Sequence, residues 1–155
     1  MTITVDFRTV QLLCARMCHD LVGPVGAINT AIELMGEEGG GAMDTEALKV
    51  LAKSASEASR KLAFFRAVFG LGGDRDTPVV TSQLLDLANG IVASRKISIQ
   101  WDPAIPSTLS GGIGKILMLQ IFLSSDALPR GGSIGVRVQA FSDGIAVACI
   151  AEGNG

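Results

Sequence analysis

The chain contains a single histidine, His19, and the residues around it are the clearest candidates for chemistry in the sequence. Asp20 follows it directly, and Arg16 lies four residues before that acid. An imidazole offers a neutral nitrogen near neutral pH and can act as a nucleophile towards a phosphoryl group. Phosphoryl transfer needs an in-line nucleophile and neutralisation of charge. Hydrolytic triads and histidine–metal centres need further histidines or acids, of which the sequence offers few.

Arg16 and Asp20 have two interpretations. As an i, i+4 pair on a helix they can form an ordinary surface ion pair worth about 0.3–0.5 kcal/mol. Alternatively, Asp20 orients the imidazole or accepts its proton, while Arg16 holds an incoming anion. Neighbouring residues on a helix point about 100° apart, so Asp20 must reach sideways to touch the ring.

Three residues just after His19 are unusual for a helix. Pro24 cannot donate to the carbonyl group of Asp20 and crowds it, which predicts a bend at this point. Gly23 and Gly26 lie four and seven residues after His19, on the same helical face. The glycines either ease the proline bend or let another molecule approach the helix closely, and we interpret them as part of a partner-binding surface with Arg16.

Two apolar series predict an antiparallel helical hairpin. If Cys14 is heptad position a, the first helix, from about residue 7 to 35, has apolar residues along one seam and His19 at the exposed position f. The seam residues are Cys14, Leu21, Ile28 and Met35 at a, and Val10, Met17, Pro24 and Ala31 at d. The second helix, capped by Asp44 and ending before Gly70, carries Leu48, Leu51, Ala55, Ala58, Leu62, Phe65 and Phe69. Two hairpins would bury both seams as a four-helix bundle, which predicts a homodimer.

Composition and charge narrow the class of protein. Hydrophobic residues make up 48% and charged residues 18%, so the chain folds, yet no apolar run reaches the roughly 18 residues of a membrane span. The net charge of −2, without a basic cluster, disfavours nucleic acid as a partner. No secretory signal is visible, and an odd number of cysteines, three, indicates reduced thiols and a cytoplasmic protein. Cys14 and Cys18 are spaced like metal ligands, but core packing is the favoured interpretation.

The second half of the chain predicts a small α/β unit. A helix capped by Thr81 or Ser82 and ending at about Ser94 precedes a strand ending at Trp101. A loop over 103–112 then leads to a helix over about 113–127. A β-hairpin then turns at an Asp-Gly pair, Asp143 and Gly144. We therefore predict an α+β protein with a helical hairpin in residues 1–75 and an α/β unit in residues 76–155. Whether the second unit is truncated at Gly155 or unusually small stays open.

The segment "HDLVGPVGAI" resembles the H-[DE]-x-x-x-P motif of the dimerisation and phosphotransfer domain of sensor histidine kinases. The longer stretch "LCARMCHDLVGPVGAINTAIELM" is similar to the ChpT-type histidine phosphotransferases of bacteria, and the similarity extends along nearly the whole chain. The resemblance implies that His19 accepts a phosphoryl group from the phosphoaspartate of one response-regulator receiver domain and passes it to another. It also implies that Asp20 supports His19 in this reaction.

The same resemblance implies a degenerate nucleotide site in the second unit. Leu123 stands at the position where kinases have a magnesium-binding asparagine. Ala151 stands at the position of their adenine-binding aspartate. An aliphatic side chain cannot ligate Mg²⁺. The glycines of the terminal "GNG" are weak evidence for a phosphate loop. We therefore expect no cofactor of the chain's own, with Mg²⁺ supplied by the receiver. Two alternatives stay open: a histidine kinase with an atypical nucleotide site, and a dimeric scaffold that binds receivers without phosphorylation of His19.

Overall fold

A computed structural model describes residues 4–37, 42–70 and 75–153. The described part is α+β, as predicted, with four helices and two small sheets. In chain order the elements are α1 (Phe7–Glu37), α2 (Ala42–Phe69), β1 (Pro78–Val80), α3 (Thr81–Val92), β2 (Ile97–Trp101), β3 (Thr108–Ser110), α4 (Gly111–Asp126), β4 (Gly132–Phe141) and β5 (Gly144–Gly153). The chain divides into two compact units, Met1–Leu62 and Ala63–Gly155.

In the first unit, α1 and α2 run antiparallel, as the two apolar series predicted. Near one end of the pair the Lys61 side chain reaches the backbone of Asp20, and towards the other end Ala31 and Ala47 line the same cavity. The most buried side chains between the helices are small: Pro24, Ala31, Ala47, Ser54 and Ala58. Small residues let two helices approach closely, but they bury little apolar area within one chain.

The seam predicted along α2 is only partly buried. Ala58 is buried, whereas Leu48 and Leu62 are 49% and 54% exposed. Each residue advances about 100° around a helix, so Leu48, Ala55 and Leu62 lie roughly 80–120° from Ser54, which faces α1. The one partner helix, α1, covers only the side of α2 that faces it, so these three residues remain exposed in the isolated chain.

Two of the four predicted helix ends are correct, and α1 extends to Glu37, two residues beyond the predicted end near residue 35. Helix α1 begins at Phe7 and α2 ends at Phe69, directly before Gly70. The start of α2 differs, because the helix begins at Ala42 and Asp44 lies inside its first turn instead of at the cap position. Most of the glycine-rich connection, residues 38–41, and the glycines at 72 and 73 lie outside the described residues.

The second unit contains a three-stranded sheet of order β2-β4-β5, against which α3 and α4 pack. Strands β2 and β4 are parallel, with Ile97 opposite Gly132, and β4 and β5 form the predicted antiparallel hairpin. The last residues of α2 belong to this unit, because Phe64 and Phe65 pack against Phe122 of α4. The compact units therefore divide within α2, between Leu62 and Ala63.

Some local predictions for the second unit were wrong. The cap position of α3 is Val80, without a side-chain cap, and the Thr81 hydroxyl donates to the carbonyl of Pro106. The segment predicted as a loop over 103–112 contains β3, which pairs with β1 in a small antiparallel sheet that the sequence analysis missed. Three-residue strands carry too short an alternation to be recognised from sequence. In the hairpin, Ser142 and Asp143 form the turn and Gly144 already begins β5.

Candidate functional site

His19 projects from the middle of α1 with 82% of its side chain exposed, as its heptad position predicted. Its Nδ1 atom lies 3.4 Å from Oδ1 of Asp20, and Oδ2 of Asp20 lies 3.0 Å from Nε of Arg16. The Asp20 side chain is only 10% exposed. One of its oxygens faces the imidazole ring of His19, and the other faces the guanidinium group of Arg16. With Nδ1 facing the carboxylate, the other ring nitrogen, Nε2, is the one left for an incoming group.

The structure adds Lys61, which the sequence analysis missed, to this site. Pro24 has no N–H group, so the carbonyl of Asp20 lacks its usual helical donor. Nζ of Lys61, from α2, donates to this carbonyl over 2.9 Å. The same ammonium group lies 2.8 Å from Oε1 of Glu57. The proline predicted an unpaired carbonyl, but only the pairing of α1 with α2 shows which side chain reaches it.

An open groove runs between α1 and α2 beside His19. This histidine groove has a volume of about 490 Å³, and both helices line it. Its lining residues are His19, Asp20, Gly23, Pro24 and Ala27 from α1, and Val50, Lys53, Ser54, Glu57 and Lys61 from α2. Ala27 and Val50 also line a second, more apolar cavity of about 390 Å³, so the groove continues along the hairpin past Ala31 and Leu34.

The glycines beside His19 leave space that the chain itself does not fill. A Cβ atom added to Gly23 or Gly26 would meet no atom within 4 Å. Neither glycine has a positive φ angle, so neither is needed for an unusual backbone conformation. Internal packing therefore does not explain them, which leaves helix bending or the approach of another molecule.

The hairpin also exposes an apolar stripe on the side away from the histidine groove. The stripe consists of Cys14, Cys18, Val25, Ile32, Leu48, Ala55 and Leu62, all exposed. On α1 these residues lie about 80–120° from Pro24, whereas Gly23 and His19 lie on the opposite side of that proline. The prediction that Cys14 and Cys18 pack in the core is wrong for the single chain, because both are exposed on this apolar stripe. No cluster of three or more metal-ligating side chains occurs in the described part of the chain.

In the second unit, the two residues expected to mark a degenerate nucleotide site, Leu123 and Ala151, both have aliphatic side chains. Leu123 lies on α4 with 65% of its side chain exposed, and Ala151 lies on β5. Neither offers an oxygen ligand for Mg²⁺. The end of the "GNG" segment, residues 154–155, lies outside the described residues. Among the described helices none is long and apolar enough to cross a membrane.

The hairpin presents one exposed histidine next to a largely buried carboxylate and beside an open groove, so another molecule can reach the imidazole. Comparison with known proteins identifies the family. Residues 81–155 match the family described as the histidine phosphotransferase C-terminal domain. The chain is 36% identical over 128 residues to the protein phosphotransferase ChpT of Brucella abortus (strain 2308), a match that covers 83% of this chain.

A solved structure described as a bacterial phosphotransferase superposes with a TM-score of 0.77 and 30% sequence identity, covering 97% of this chain and 71% of the other. The chain therefore belongs to the ChpT-type family of bacterial histidine phosphotransferases. It spans 59% of the length of the Brucella abortus relative.

Proposed function

We propose that this protein is a histidine phosphotransferase of a bacterial phosphorelay. His19 accepts a phosphoryl group from the phosphoaspartate of one response-regulator receiver domain and passes it to the aspartate of another. The observation that carries this proposal is the exposed imidazole, with Nδ1 facing a largely buried carboxylate and with open space beside it, in a member of this family.

In the forward step, Nε2 of His19 attacks the phosphorus atom in line with the acyl-phosphate oxygen of the receiver. The N–P bond forms as the P–O bond breaks, and the aspartate carboxylate of the receiver leaves. Asp20 faces Nδ1 and stabilises the positive charge that the ring acquires as Nε2 donates its electrons. The reverse attack by a second receiver's carboxylate regenerates the free imidazole. A Mg²⁺ ion bound by the receiver would supply neutralisation of the charge on the transferring phosphoryl group.

The histidine groove provides a docking surface for the receiver. Arg16, Gly23 and Gly26 lie on the His19 side of α1, and the two glycines have no neighbouring atom where a side chain would begin. A partner can therefore bring its own backbone or side chains against α1 close to the imidazole. The apolar continuation past Ala31 and Leu34 would be covered by the same partner.

The apolar stripe supports a homodimer in which two hairpins form a four-helix bundle. Val25, Ile32, Leu48 and Leu62 are each about half exposed in the single chain. Exposed apolar residues that repeat along both helices on one side are typical of a helix-packing interface. Because the stripe lies away from the histidine groove, dimerisation leaves both His19 side chains accessible.

The second unit serves as an additional docking surface and does not bind ATP in this proposal. Leu123 and Ala151 support the view that it is a degenerate relative of the kinase ATPase domain. Calorimetric titration with Mg·ATP separates this from the kinase alternative. Binding at millimolar affinity or tighter, together with labelling of His19 from ATP, would show that the protein is a kinase.

A direct test is transfer of radiolabelled phosphate from receivers that have been phosphorylated with acetyl phosphate and Mg²⁺. A panel of bacterial single-domain receivers is incubated with the wild-type protein, with His19→Ala and, as a control on the same helix, with Glu33→Gln. We expect acid-labile label on the wild type and on Glu33→Gln only. Equal labelling of His19→Ala, or no label from any receiver, contradicts the proposal. Receiver binding that is unaffected by His19→Ala, without labelling, indicates the scaffold alternative.

A further inference from the structure

Lys61 lines the histidine groove, but the proposed reaction gives it no role. It lies on α2, 41 residues after Asp20 in the chain, yet its ammonium group contacts the α1 backbone at the residue that supports His19. Its side chain is 17% exposed, so it is largely withdrawn from solvent while still lining the histidine groove. A partly buried ammonium group is costly unless its donors are satisfied.

Two acceptors contact the ammonium group of Lys61, and they belong to different helices. The Asp20 carbonyl lies 2.9 Å away on α1, and the Glu57 carboxylate lies 2.8 Å away, one turn earlier on α2. Glu57 thus directs the lysine across the hairpin, because the ion pair limits the rotamers of a long side chain. The carbonyl of Asp20 is free to accept this bond only because Pro24, four residues later, has no N–H group.

From this geometry we infer that Lys61 is a positioning residue for His19, which acts through the backbone of Asp20. The bond joins α1 to α2 at the position where proline interrupts the hydrogen bonds of α1. It therefore fixes the orientation of the Asp20 peptide, from which the carboxylate reaches Nδ1 of His19 and Nε of Arg16. The catalytic part of this inference rests on the proposed phosphotransfer function.

The chain offers a matched set of variants for this inference. Lys61→Met keeps the length of the side chain but removes its donors, and Lys61→Arg keeps both charge and donors. Lys49→Met removes an exposed lysine of the same helix that is not among the residues lining the groove, and serves as the control. Pro24→Ala restores a backbone N–H group that can donate to Asp20 in place of Lys61.

The first measurement needs no partner protein. His19 is the only histidine of the chain, so the ¹⁵N chemical shifts of its ring report the ratio of its two tautomers without overlap. We expect Lys61→Met to lower the share of the tautomer with the proton on Nδ1, while Lys61→Arg and Lys49→Met leave it unchanged. An unchanged ratio in a folded Lys61→Met protein overturns the inference, whether or not any receiver transfers phosphate.

The second measurement is single-turnover transfer from a phosphorylated receiver at increasing receiver concentration. We expect Lys61→Met to lower the maximal rate by about tenfold to 100-fold, because small misplacements of reacting groups slow transfer by such factors. The receiver concentration that gives half of the maximal rate should change by less than about twofold. If only the receiver concentration at half of the maximal rate changes, Lys61 is a docking residue and the inference is contradicted.

The third measurement tests the carbonyl contact itself. In the Pro24→Ala background, Lys61→Met should lower the maximal rate by less than threefold, because the helix then supplies the missing donor. A loss as large as that in the wild-type background shows that the Asp20 carbonyl is not the reason for the effect. Wild-type protein that no receiver labels contradicts the proposed function instead, and the tautomer ratio still tests the position of Lys61.

Discussion

Nδ1 of His19 lies 3.4 Å from Oδ1 of Asp20, although the two residues are adjacent on a helix and their side chains start about 100° apart. The contact exists because Asp20 turns sideways, with its other oxygen held by Arg16 at 3.0 Å. A separation of 3.4 Å is long for a hydrogen bond, so the carboxylate orients the ring weakly in the free protein. Its charge nevertheless lies next to the nitrogen that becomes positive during phosphoryl transfer.

Replacing Asp20 by asparagine should slow phosphorylation of His19 by about 10²-fold to 10⁴-fold, the range typical of a lost acid–base group. The amide keeps the shape of the carboxylate but removes the charge that stabilises a positive imidazole. Single-turnover transfer from a phosphorylated receiver measures the effect. The matched control is Glu33→Gln, an exposed carboxylate on the same helix, which should transfer at the wild-type rate. Equal rates for Asp20→Asn and wild type would exclude this role for Asp20.

Gly26→Ala should stabilise the protein and weaken receiver binding. The added methyl group meets no atom within 4 Å, and alanine in a helix is favoured over glycine by about 0.5–1 kcal/mol. The same methyl group would occupy the space left for a partner. Urea unfolding and calorimetric titration with a receiver measure the two effects. If binding is unchanged, Gly26 does not belong to the docking surface.

Gly114→Ala, in contrast to Gly26→Ala, should destabilise the protein. Its new Cβ atom would lie 2.9 Å from Cγ2 of Val79 and 3.2 Å from Cδ1 of Leu84. Helix α4 packs closely against β1 and α3 at this position. We expect overpacking to lower the free energy of unfolding by about 1–3 kcal/mol. Urea unfolding monitored by the fluorescence of Trp101 measures this change. Unaltered stability would mean that these neighbours can move apart freely.

Leu48→Glu should convert the proposed homodimer to a monomer. Leu48 is 49% exposed on the apolar stripe, where a carboxylate would be buried against a second hairpin. Leu34→Glu is the matched control, because Leu34 is 48% exposed but lines the cavity on the groove side. Light scattering at micromolar concentration should give a dimer for wild type and Leu34→Glu only. A monomeric wild type, or the reverse result for the two variants, would exclude this interface.

Cys149 should make the protein less stable at alkaline pH. Burial raises the pKa of its thiol from 9.0 to about 11. Between these values the unfolded chain has lost the proton that the folded chain retains, so the free energy of unfolding falls as pH rises from about 9 to 11. Urea unfolding at pH 8 and pH 10.5 measures the decrease, and Cys149→Ala should show a smaller one. Identical decreases would show that other groups cause it.

Local sequence patterns were sufficient for much of the fold. The helical hairpin, the strand ending at Trp101 and the β4–β5 hairpin each have a clear period or turn signal, and each was predicted correctly. The short pairing of β1 with β3 was missed, because it joins residues 30 apart through three-residue strands. The cap of α3 was wrong for a related reason, since the Thr81 hydroxyl donates to Pro106 in a distant segment.

The sequence by itself determined that His19 is exposed and that Pro24 leaves the Asp20 carbonyl without its helical donor, because helical phase and the missing N–H group of proline are local properties. Only the tertiary structure decided that Lys61 donates to this carbonyl and that Ala58 is buried while Leu62 is exposed. These outcomes depend on the rotation of α2 about its own axis relative to α1. That rotation is set by the packing of small side chains between the helices, which a hydrophobic pattern does not specify to within one residue.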